Sequence, residues 1–164
     1  MKVAIDVSRM NVLSKTRGIG FYTKYLFEAL KKYTEVDVKL IEQPTTERFD
    51  VVHFPYFDLF NLTLPFNNSA PTVVSIHDVI PLVFPKQYPA GIKGRISLER
   101  QKLALRNVSE VITDSVASKI DIKRFLGVSQ DKISPIYLAQ WEQFKVIKDS
   151  DVLSQIKKKF NLPE

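Results

Sequence analysis

The chain has no cysteine in its 164 residues. This excludes disulfide staples, thiol nucleophiles and cysteine-based metal sites. It has only two histidines, His53 and His77, too few for a zinc site of the usual His-rich kind, so no metal is expected. Nowhere does an apolar run approach the ~20 residues needed to span a bilayer. The N-terminal MKVAIDVSRM is a strand-like run ending in Asp6, not the longer apolar stretch of a signal peptide. The expected compartment is the cytoplasm. Glycine is scarce, at five residues, and hydrophobic residues make up 45%, which excludes fibrous and disordered classes. The length suits one domain with a full core, residues 1–164, and no repeats or low-complexity tracts interrupt it.

Charge is unevenly balanced, with 24 Lys and Arg against 18 Asp and Glu, a net of +6. Such a balance favours anionic partners: nucleic acid, phosphorylated small molecules or an acidic membrane face. Part of the excess falls in ALKKY and QIKKKF, segments that read as solvated helix faces. No aromatic-basic RNA-binding motif is present, so nucleic acid is set aside.

Short β-branched runs alternate with helix-forming segments along the whole chain. KVAIDV, VDVKLI, DVVHF, PTVVSI, VSEVIT and KISPIYL read as strands. In GIGFYTKYLFEALKKY, residues Ile19, Tyr22, Leu26, Leu30 and Tyr33 fall on one helical face. KGRISLERQKLALRN has strong helix formers throughout. DSVASKIDIKRFLG can be capped by Ser115 or Asp114 and ended by Gly127. SDVLSQIKKKF is a last helix, with Ser150 as its cap. The segment from Pro55 to Asn68 has no period and reads as a loop or short helix. This order predicts an α/β fold: a Rossmann-like three-layer α/β/α sandwich around a mostly parallel sheet.

Ligands of such sheets sit beyond the carboxyl ends of the strands. SIHDVIPLVFPKQYP places His77 and Asp78 at a strand end before a proline-aromatic loop, and His53 ends another strand. GIGFYT imitates a dinucleotide fingerprint, with Glu42 as a candidate ribose acid. However, the residues from Ser8 to Arg17 separate strand from glycines, and the fingerprint requires a tight turn there. NAD binding is therefore set aside. Gly18 and Gly20 still allow backbone N–H groups to approach an anion, with Arg17 adding charge, or else they simply permit a tight helix entry.

Four stretches in order, RGIGFYTKYLFEAL, SIHDVIPLVFPKQYP, VITDSVASKIDI and the exit from KISPIYLAQWEQF to NLPE, resemble the N-terminal domain of GT-B glycosyltransferases of family 4. The resemblance implies the acceptor-side domain of a retaining hexosyltransferase. Its donor would be a UDP- or GDP-hexose and its acceptor a sugar or a lipid-linked molecule. The family's C-terminal nucleotide-sugar domain, with its Glu-x7-Glu motif, is missing from the sequence. The chain is thus expected to be one half of an enzyme and inactive by itself, whether truncated, split or degenerate. LAQWEQF departs from the glycine- or proline-containing turn of the family. The resemblance assigns His77 to the transferred sugar as the catalytic contact. Arg17, Gly18 and Gly20 fall to the donor diphosphate, and His53, Asp78 and Ser115 to the acceptor side. His53 would stand at the acceptor's lip, Asp78 would orient its neighbours or cap a turn, and Ser115 competes with its own role as a helix cap. No cofactor is implied. Peripheral contact with the inner face of a membrane fits the basic charge. The alternative is a binding module for a phosphorylated or nucleotide ligand that performs no chemistry.

Overall fold

A computed structural model describes residues 1–10, 16–67, 69–141 and 144–163. Six strands form one all-parallel sheet: β1 (Lys2–Asp6), β2 (Asp37–Ile41), β3 (Val51–Phe54), β4 (Thr72–Ser75), β5 (Glu110–Thr113) and β6 (Ile133–Pro135), in the order β2-β1-β3-β4-β5-β6. The helices are α1 (Gly18–Leu30), the short α2 (Ile80–Val83), α3 (Gly91–Leu105), α4 (Val116–Leu126) and α5 (Ser150–Phe160). The fold is the Rossmann-like α/β sandwich that the alternation predicts.

Strand register determines which side chains share a face. Ile5 aligns with Leu40 and His53, and Phe54 with Val74. Successive residues point to opposite faces, so the sheet carries two separate cores. On one face Ile5, Val7 and Met10 pack with Ile19, Leu26, Phe27 and Leu30 of α1. On the other, Phe54, Val74, Val111 and Ile133 pack with Ala104 and Leu105 of α3 and with Ile122 and Leu126 of α4. A strand order that grows leftward to β2 and rightward from β3 produces this split, because right-handed crossovers in opposite directions land on opposite faces.

Pro71 precedes β4, and its carbonyl still accepts from the Val52 N–H at 3.0 Å. A proline can therefore stand at this strand start without weakening the ladder. The aromatic run after β3 folds inward: Phe57 and Leu59 are buried in the larger core. The part of Pro55 to Asn68 that is described contains no helix, and Asn68 lies outside the described residues.

Three local expectations are corrected. Tyr33 leaves the helical face, because α1 ends at Leu30 and the ring is 65% exposed. Asp149, not Ser150, caps α5: its carboxylate accepts from the N–H groups of Asp151 and Val152. That bond satisfies two donors of the first turn at once, and Ser150 becomes the first helical residue instead. The proline-aromatic loop includes α2, whose Pro81 sits near the helix start, where a missing N–H costs nothing.

Candidate functional site

The point where strand order reverses lies between β1 and β3, and a crevice beyond the carboxyl ends of the strands is expected beside it. There, on the α1 face, the register brings His53, Ser75 and His77 to the same side. Ser75 is two residues past Val73, the partner of His53, and His77 follows two further on. Tyr22 reaches them from the second turn of α1, and Asp114 from the end of β5.

These five side chains form two linked arms. In the first, Ser75 Oγ lies 2.8 Å from His53 Nε2 and 2.8 Å from the Tyr22 hydroxyl. Ser75 and His53 are both buried. Burial, with a smaller contribution from the nearby His77, pushes the His53 imidazole down to about 4. His53 is thus neutral at ordinary pH. Burial also raises the Tyr22 phenol above its ordinary value against the opposing pull of the Ser75 hydrogen bond, and the Asp114 charge adds to the rise.

In the second arm, His77 Nδ1 lies 2.9 Å from an Asp114 carboxylate oxygen. A carboxylate can only accept, so Nδ1 carries the proton, and in the neutral ring Nε2 then holds the lone pair. The Tyr22 ring meets the imidazole edge-on, with centroids 4.8 Å apart. The His77 carbonyl accepts from Thr113 Oγ1 at 3.4 Å. Ring and backbone are therefore both held. His77 Nε2 is buried and has no hydrogen-bond partner among the described residues. Buried polar atoms in folded proteins are almost always paired, so this nitrogen has room in its bonding for a water or for a ligand hydroxyl.

Arg17 is the N-cap of α1 in extended conformation and contributes no side-chain cap bond; its carbonyl accepts from the Phe21 N–H. Gly18 opens the helix, with open space where a Cβ would stand. Gly20 lies in the same first turn. The start of α1 is thus exposed and can receive an anion. Asp78 is exposed, and its carboxylate accepts from the Ile80 N–H, which fixes the turn into α2. Ser115 Oγ accepts from the Ser118 N–H and caps α4. The placement of His53 at an open lip is corrected: at 6% exposure it lies behind Ser75 and supports the site from below. Among the described residues no group of three imidazole or carboxylate side chains is placed to hold a metal.

Tyr22, Ser75 and Asp114 join the site without having been expected there from the sequence. Two of them carried a signal: a hydroxyl inside the apolar run TVVSI and another in the apolar stripe of α1 both need a partner once buried. No protein-family model and no curated protein matches the chain. Fold and site define the class on their own: an α/β sandwich with a histidine-centred polar cluster at the carboxyl edge of its sheet.

Proposed function

We propose that the chain is the acceptor-side domain of a retaining glycosyltransferase that moves a hexose from a nucleotide-sugar donor to an acceptor hydroxyl. The observation that carries this reading is the unpartnered Nε2 of His77, in a ring that Asp114 and Tyr22 hold in place. With Nδ1 donating to Asp114, the lone pair of an unprotonated Nε2 accepts a hydrogen bond from a sugar hydroxyl and fixes the transferred sugar. Departure of the donor leaves negative charge on a diphosphate. Arg17 and the N–H groups at Gly18 and Gly20 suit that charge at the start of α1. The donor's nucleotide would be held by a second domain closing over this edge. His53 and Ser75 support the site through Tyr22 rather than touching substrate.

The test is hexose transfer by the full-length protein that carries this domain, assayed with UDP- and GDP-hexoses against soluble and lipid-linked acceptors. Loss of an oriented contact at the reacting centre lowers kcat by about a hundredfold, so His77→Ala is expected to do so. Asp114→Asn is expected to be similarly harmful, because an amide N–H facing Nδ1 selects the other tautomer and removes the Nε2 lone pair. Full activity in His77→Ala would overturn the assignment. Donor binding with no transfer to any acceptor would favour a binding module instead.

A further inference from the structure

Beyond the histidine cluster, the segment that follows β4 has an unusual surface. From Val79 to Leu98 the sequence contains no Asp or Glu and three cations, Lys86, Lys93 and Arg95. All three cations are exposed, and none takes part in an ion pair among the described residues. Between them the same stretch exposes Ile80, Phe84, Tyr88, Ile92 and Ile96, with Ile92 81% open to solvent. The arrangement is ordered. Phe84 N–H donates to the Ile80 carbonyl and Tyr88 N–H to the Phe84 carbonyl, so the first three residues are linked through the backbone at intervals of four. Ile92 and Ile96 repeat in the same way on α3. Tyr88, Ile92 and Arg95 also line a common cleft of about 470 Å³ between the proline loop and α3.

From these observations we infer that the Val79–Leu98 surface docks on an anionic phospholipid bilayer. Apolar and aromatic side chains standing in water among three unpaired cations match both layers of such a surface. The cations meet the lipid phosphates, and the rings and aliphatic side chains enter the headgroup and acyl boundary. The two exposed acids that border the stretch, Asp78 and Glu99, stand at its ends, with Asp78 tied to the Ile80 N–H and Glu99 to Lys102, so the cations between them are left for an anionic partner. A second copy of the chain would bring cation against cation. The inference does not depend on the transferase reading, although a bilayer here would sit close to His77, from which this segment begins two residues downstream.

The test is co-flotation of the chain with vesicles of phosphatidylcholine alone and of phosphatidylcholine mixed with phosphatidylglycerol. Binding is expected to the anionic vesicles and to be weaker by at least about tenfold, 1.4 kcal/mol, for the neutral ones. Phe84→Ser with Ile92→Ser should lower partitioning to anionic vesicles by a similar factor. Both side chains are exposed, so an unchanged Tm is the check that folding is intact. Lys86→Glu with Lys93→Glu should abolish the preference for anionic lipid, whereas Lys157→Glu, Lys158→Glu and Lys159→Glu on α5 should not. A tryptophan placed by Ile92→Trp should blue-shift on anionic vesicles and be quenched by brominated acyl chains. Four results would overturn the inference: no vesicle binding, equal binding to both lipids, loss of binding only in the α5 variant, or sedimentation showing that this surface joins two copies.

Discussion

His53 couples the candidate site to stability through its titration. Its imidazole protonates near 6.5 when unfolded but only near about 4 in the native protein, because burial disfavours the charge. Between those values the unfolded chain binds more protons than the folded one, so stability falls as pH drops through that window. The contribution is fully present above pH 6.5 and lost progressively toward about 4, a total on the order of 3 kcal/mol at 1.36 kcal/mol per unit. Urea midpoints should therefore slope downward across this range. In His53→Gln, which keeps a polar group near Ser75 but cannot titrate, the slope should flatten by most of that amount. An unchanged slope would mean that His53 is accessible to protons in the native state. The same residue shows how far single positions can be read from sequence. His53 and His77 are alike in ending apolar strands, and both were visible as candidates. What separates them is the neighbour each meets: Ser75 for one and Asp114 for the other. Those neighbours depend on β4 lying between β3 and β5, and a sequence of strands does not carry its own lateral order.

At the scale of elements, legibility follows the strength of local signals. The six β-branched runs became the six strands because each is short, apolar and bounded by polar residues. The end of α4 was equally clear, since Gly127 adopts φ 72°, a left-handed conformation that an L side chain enters at a cost of about 1–2 kcal/mol. A Cβ at Gly127 meets nothing within 4 Å, so Gly127→Ala should lower stability by that backbone cost alone. A calorimetric loss well above it would indicate a contact that the open surroundings do not provide. Signals failed where two residues compete for one role. Asp149 and Ser150 are both good caps, and only the direction of the chain into α5 decides between them. The helical stripe of α1 continued on paper to Tyr33, but the helix had already ended, because the chain must turn back to enter β2. Tyr25 of α1 is met by the exit segment after β6, with Trp141 4.2 Å from it ring to ring. LAQWEQF, read as a departure from a familiar turn, thus anchors on α1 through an aromatic pair. Glu142 and Gln143 of that stretch lie outside the described residues.

For the molecule as a whole, the two faces of the sheet are stabilised by different means. On the α1 face one helix and a short core suffice. On the other, the loop from Pro55 onward must be held down over β3 and β4 before Phe57, Leu59 and Leu64 can join the core. Gln101, fully buried on α3, does this. Its Oε1 accepts from the Leu64 N–H at 3.2 Å, and its Nε2 donates to the Asp58 carbonyl at 2.8 Å and to Thr63 Oγ1 at 2.7 Å. Nothing in RQKLAL distinguishes this residue from a solvated helical glutamine, since its partners lie some forty residues away. Replacing it with an apolar residue of similar size leaves the Leu64 N–H and the Asp58 carbonyl buried without partners, at about 1–3 kcal/mol for each group. Gln101→Leu should therefore lose roughly 3 kcal/mol or more, a large fraction of the ~5–15 kcal/mol that stabilises an ordinary domain. The loss should be local before it is global. Exchange of the Leu64 amide with solvent should accelerate, while the β1 amides paired with β2 keep their protection, because the two cores share the sheet but not the loop. If both regions lost protection together, the faces would be one cooperative unit, and the division of the core described by the strand register would have no energetic counterpart.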